Sequence, residues 1–162
     1  MISEPINMAA RRAAPGTVAC RMQAVGSKPW ALTGGCSSES FLTRKGFEEF
    51  RRVVSRLREL CPTGKPVIIR TARLPPTTLG ECIRRSSRFV IRLSNRLDEQ
   101  GAIETVLHEW GHALAWNYSL DSLAKQPDVD REKFDRASHD EAWGCAYSRV
   151  WRAYTVDILA RP

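Results

Sequence analysis

Histidine is scarce in this chain: 162 residues contain three of them. Cysteine occurs five times, at Cys20, Cys36, Cys61, Cys82 and Cys145, an odd number with no Cys-x-x-Cys pair. That pattern excludes a thiolate metal knuckle of ordinary spacing and argues against a disulfide framework. The thiols are therefore expected to be reduced, with Cys61, Cys82 and Cys145 serving as small core residues. No apolar run approaches the roughly 20 residues that span a bilayer, and no apolar stretch near the N-terminus precedes a small-residue cleavage site. The expectation is a cytoplasmic protein with no membrane partner and one core of its own.

Charge is present in quantity but unevenly spread. The net charge is +7, and residues 61–97 hold eight Lys/Arg against one Asp/Glu, whereas residues 98–162 hold seven against twelve. A basic middle of this kind has two readings: a site for nucleic acid or acidic protein, or simply a solvated face.

Residues 1–40 are rich in Ala, Gly, Ser and Pro, with apolar residues at no helical or strand period, so they read as a flexible basic arm. Residues 41–162 read as the folded domain. From Thr43, a plausible N-cap, to Cys61, the residues Phe47, Phe50, Val53, Val54, Leu57 and Leu60 share one side of a helical wheel, and Pro62 with Gly64 ends the helix. The β-branched run from Pro66 to Arg73 predicts a strand. Leu79 to Arg85 and Arg88 to Ser94 predict a hairpin turning at Ser86-Ser87, with Phe89, Ile91 and Leu93 on the core face. The fold class is α+β, with a small, mostly antiparallel sheet of about three strands packed on three helices.

The second helix is predicted from about Asp98 to Asn117, and it contains His108-Glu109-Trp110-Gly111-His112. Residues four apart stack on one helix face, so both imidazoles can converge on one ion while Glu109 sits one step round. The wheel sets Ile103, Val106, Leu107, Trp110 and Leu114 on an apolar stripe and turns His108 and His112 nearly opposite, towards a cleft. Gly111 costs this helix about 1 kcal/mol relative to Ala, which only a close backbone approach would justify. Residues 119–137 read as a connecting loop with at most one helical turn. Ser138-His139-Asp140-Glu141 then has the capping-box form, so a last helix is expected to start with Ser138 as N-cap. Its inward face carries His139, Trp143, Tyr147, Val150, Tyr154 and Ile158.

A catalytic zinc takes three protein ligands and keeps a fourth position open. His139 is the only histidine outside the motif, and its inward placement makes it the candidate third ligand. Glu141 is the alternative ligand, although it already has a capping role, and Asp140 suits a helix-start charge or a partner that orients a ligand. No oxyanion donor is assigned by the sequence; Tyr118, Tyr147 and Arg149 are the candidates, and Tyr147 suits the core better.

Several features together resemble the SprT-like metallopeptidases of the Spartan type. These are Gly80-Glu81-Cys82 in the hairpin, Ile91-Arg92-Leu93-Ser94 ending it, Glu104-Thr105-Val106-Leu107-His108-Glu109 leading into the motif, and His139 opening a helix with Trp143 four residues on. The resemblance covers residues from about 45 to 155. It implies a minimal zincin fold, a single Zn2+ held by His108, His112 and His139, and Glu109 as catalytic base. Asp140 stands where the family usually has Gly, and only Cys145 follows the motif helix, where many members carry a Cys-rich ribbon.

The resulting expectation is a zinc metalloendopeptidase that hydrolyses peptide bonds with a zinc-activated water, on a polypeptide substrate, including proteins held on nucleic acid. If the hairpin supplies the sheet edge beside the motif helix, Arg84, Arg85, Arg88 and Arg92 would flank the cleft and contact acidic substrate or nucleic acid. Their other reading is protection of that edge from aggregation. The competing function is a nucleic-acid-associated binding protein whose zinc is structural and which turns nothing over.

Overall fold

The computed structural model describes residues 19–23, 40–126 and 130–160, with residues 19–23 and 131 described by their backbone alone. The remainder of the arm expected over 1–40 lies outside the described residues. The elements in chain order are β1 (Ala19–Gln23), α1 (Glu48–Leu60), β2 (Val67–Ala72), β3 (Thr78–Arg84), β4 (Phe89–Ser94), α2 (Glu99–Ala115), α3 (Tyr118–Ala124), α4 (Arg131–Ser138) and α5 (Glu141–Arg152). Beyond α5 the chain continues as a π-helical stretch, Ala153–Ile158. Among the described residues no helix is long and apolar enough to cross a membrane.

The sheet has four strands in the order β1-β3-β4-β2. β1 pairs with β3 and β3 with β4 in antiparallel fashion, whereas β2 runs parallel to β4. The α+β expectation holds and the sheet is mostly antiparallel. The fourth strand corrects the reading of residues 1–40, because Ala19–Gln23 forms β1 despite lacking a period-2 apolar pattern. An edge strand can be held by its main-chain ladder alone, and such pairing leaves little trace in composition.

Phe89, Ile91 and Leu93 of β4 are buried, facing Phe50, Val53, Val54 and Leu57 of α1 and Ile103, Val106, Leu107 and Trp110 of α2. Burying each such side chain is worth roughly 1.5–3 kcal/mol. The Trp110 indole Nε1 donates to the Cys61 carbonyl at 2.9 Å, tying the motif helix to the end of α1. Cys61 and Cys82 are buried as expected, whereas Cys145 is exposed.

Helix starts depart from the expectation at two places. Thr43 is no N-cap, since it closes a turn onto the Ser40 carbonyl, and α1 begins five residues later. The Phe50 amide in that first turn donates instead to Glu99 Oε1 of α2 at 2.9 Å, a cap supplied across the core. At the other end, residues 119–137 contain two helices rather than a loop. Ser138 closes α4, and Asp140 is the N-cap of α5, accepting from the Trp143 amide at 2.9 Å. Asp and Ser are nearly equivalent caps, so the two positions could not be separated by residue type. His139 thus occupies the corner between two helices.

Candidate metal centre

The motif helix is well bounded. Asp98 caps α2 by accepting from the Gly101 amide at 2.7 Å, as its position predicts. The histidine face of α2 is expected to face a cleft; α5 packs along that face and leaves His112 1 % exposed. Gly111 is the reason α5 can come so near. A Cβ built there would lie 3.2 Å from Trp143 Nε1 and 3.4 Å from Tyr147 Cα and Cβ. The helix-propensity cost of Gly111 is offset by this close crossing, which brings α5 and the corner before it over the histidines.

Three ring nitrogens converge at that corner. His112 Nε2 lies 3.2 Å from His108 Nε2, and His139 Nε2 lies 3.3 Å from the same atom. Donor atoms about 2.0–2.1 Å from a tetrahedral ion would be roughly 3.3–3.4 Å apart, so the spacing fits a three-nitrogen set. His139 Nδ1 lies 2.8 Å from the Asp135 carbonyl oxygen. A carbonyl only accepts, so the proton sits on Nδ1 and leaves the Nε2 lone pair for a metal. Among the described residues, this trio is the one group of three or more His, Cys, Asp or Glu side chains placed to hold an ion. Glu141 does not join it. Asp140 is occupied as a cap, and both carboxylates are exposed.

The surroundings disfavour a charge on His108 and His112. Burial, and then the neighbouring His139, push His108 down to about 4, and burial with both neighbouring rings holds His112 well below the usual imidazole range. Because these folded-state values lie below the ordinary 6.5, the associated stability is present above pH 6.5 and is lost as pH falls from there towards 4. Metal-stripped protein should therefore lose on the order of 3 kcal/mol between pH 7 and pH 4 from His108 alone, with His112 adding in the same direction. Urea denaturation of stripped protein at several pH values checks this; flat stability across the window would contradict neutral, buried imidazoles.

Trp143 roofs the trio, its ring centroid 5.0 Å from His108, 5.4 Å from His112 and 4.7 Å from His139. It stacks on Tyr147 with the planes 5° apart, and Tyr147 in turn approaches His108 at 5.9 Å. Of the candidate oxyanion donors, Tyr147 is thus the one beside the histidines. Tyr118 is 82 % exposed at the start of α3, and Arg149 reaches the Leu60 carbonyl. The site opens on the side of His139, which is exposed.

Glu109 is fully buried on α2 beneath β3. A Cβ built at Gly80 of β3 would lie 3.2 Å from both Glu109 Cγ and Oε1 and would overlap Thr105 Cγ2. Gly80 is therefore required for the strand to lie on the motif helix beside its carboxylate.

The four arginines of the hairpin divide between the two sheet faces. Strand alternation puts Gly80, Cys82 and Arg84 on the α2 side, where Arg84 bonds Asp121 of α3 at 2.6 Å. Arg92 pairs with Glu81 on the opposite face, and with Arg70, Arg85 and Arg88 it lines a cavity of about 510 Å³ there. The hairpin is also not the sheet edge, since β1 covers β3. The expectation that all four arginines flank the cleft therefore does not hold, because three of them line the opposite face.

Sequence reasoning missed two features of the site. One is the Asp135 carbonyl that orients His139, and a main-chain acceptor has no residue signature. The other is the roofing role of Trp143, whose spacing from His139 was visible while its contact with all three rings was not. No protein-family model, curated protein or solved structure matches this chain.

Proposed function

We propose that the protein is a zinc-dependent metallopeptidase in which His108, His112 and His139 hold the ion and Glu109 is the general base. The observation that carries this reading is a three-nitrogen set, open on the His139 side, next to a buried carboxylate on the same helix. A structural zinc is normally closed by four protein ligands, whereas a catalytic one has three and an open position. A bound zinc ion would lower the pKa of water towards about 7 and polarise the substrate carbonyl. Glu109 then accepts the proton of the attacking water and returns it to the leaving amine. His139 is held in the ligating tautomer by the Asp135 carbonyl, and Trp143 packs against all three rings.

An imidazole-rich set with no thiolate also suits other divalent transition metals, and zinc is favoured by the His-only donors together with the adjacent carboxylate base. The resemblance of the sequence to SprT-like metallopeptidases supports the same assignment. The test is metal removal. Purified protein should contain about one zinc per chain and cut an unstructured polypeptide. Chelation should abolish cutting and stoichiometric zinc should restore it. Cleavage that persists in metal-free protein would overturn the proposal.

A further inference from the structure

β1 occupies the outer edge of β3, where Gly80 rests against Glu109 of the motif helix. Ala19, Cys20, Arg21 and Met22 pair antiparallel with Ile83, Cys82, Glu81 and Gly80, and the register shifts between Met22 and Gln23. Met22 is therefore opposite Gly80, the residue that rests against Glu109. Neighbouring strands lie about 4.7–4.9 Å apart, so the β1 main chain passes one strand spacing from the residue covering the candidate base. β1 also lies against α2, which carries His108 and His112, and against α4, whose C-cap is His139. An extended polypeptide that reached Glu109 by adding to the sheet would need this same edge.

We propose that the chain's own segment Ala19–Gln23 is a displaceable, substrate-like strand that closes the cleft and gives way when an extended polypeptide adds to β3. This rests on the peptidase reading for its consequence, but not for its structural content. Three features support displacement rather than a permanent strand. β1 is five residues long, its register with β3 shifts between Met22 and Gln23, and the sequence over 1–40 shows no strand period that would commit it to the sheet. A main-chain ladder with little side-chain commitment is what one polypeptide can exchange for another.

The test uses the full chain and a Cys20→Pro/Arg21→Pro double variant. Alternate residues of a strand donate to its partner, so two consecutive prolines remove a ladder hydrogen bond in either phase. In the wild type the amides of β3 should be protected from hydrogen exchange along both edges. In the variant, amides pointing to β1 should exchange at least tenfold faster, with metal content and α2 protection unchanged. Adding reduced, alkylated casein should restore protection at those amides, and cleavage of casein should rise severalfold over wild type. Unchanged exchange in the variant, or loss of metal and of α2 protection along with β1, would overturn the proposal by making β1 absent from the edge or integral to the fold.

A second measurement avoids prolines. Opposed residues of an antiparallel pair have Cα atoms about 4.5–5.5 Å apart, within the range a disulfide bridges. Diamide, which takes up the two thiol hydrogens, should therefore link Cys20 to Cys82. The linked protein should keep its metal, lose cleavage, and regain it on reduction. Failure to form that link, or full activity of linked protein, would overturn the proposal. If no form of the protein cleaves casein, the peptidase reading fails, and the exchange and cross-linking results still decide where β1 sits.

Discussion

Glu109→Gln should retain about one metal ion per chain while kcat/KM for peptide cleavage falls by roughly 10²–10⁴, the range that a general base contributes. The substitution keeps shape and removes basicity. Shape matters here because Glu109 is fully buried and lies against Gly80, with no room for a larger group. Glu109 is outside the three-nitrogen set, so its replacement leaves the ligands in place. The same variant separates catalysis from a structural metal: a protein that only uses zinc to hold α2 to the His139 corner has no need of a base. Metal analysis and steady-state cleavage on one preparation measure both quantities. Undiminished cleavage with metal bound would remove Glu109 from the mechanism.

How far the sequence exposed this site depends on which kind of interaction carried the information. The His108 to His112 spacing is a property of helix geometry, so the pair was readable from residue order alone, and the wheel that separated them from Ile103, Val106, Leu107 and Trp110 was also correct. What the wheel could not supply was the packing on the far side. His112 is buried because α5 crosses at Gly111, and a glycine records only that something comes close, not what. His139 was reachable by elimination, since the chain has only three histidines. Its setting is not legible, because Pro127 and mixed charges mask the short amphipathic segment of α4, and Ser138 and Asp140 are both acceptable caps.

The sheet follows the same division. β4 is legible because Phe89, Ile91 and Leu93 alternate against a real core, and β3 because the hairpin turn is polar. β1 is not legible, because the β3 main chain specifies it. That difference bears on the hairpin arginines as well. A hairpin at the sheet edge beside the motif helix would place them on a charged rim, but β1 covers that edge and period-2 alternation sends Arg92 to the far face with Arg70. Arg70, Arg85, Arg88 and Arg92 thus lie on the sheet face opposite the motif helix, and Arg84 is the hairpin arginine on its side.

His139→Ala should lower metal affinity by more than about a hundredfold, because loss of a mere orienting partner already costs 10–100-fold. Glu141→Ala should leave affinity within a factor of about two, the carboxylate being exposed and outside the three-nitrogen group. The contrast follows from the corner at Ser138-His139-Asp140. α4 ends there with the His139 amide donating to the Arg136 carbonyl, the Asp135 carbonyl orients the imidazole, and Asp140 starts α5, so His139 is positioned by two helix ends at once. Removing it leaves His108 and His112, two ligands on one helix, without the third direction that defines a tetrahedral site. The loss should appear as metal release in competition with a chelator of known affinity. Folding should survive it, since His139 is exposed and outside the main core, and far-ultraviolet circular dichroism of the variant checks that. If the alanine variant at 139 bound zinc as tightly as wild type while the variant at 141 lost it, the third ligand would be Glu141 and the corner would have to rearrange on metal binding.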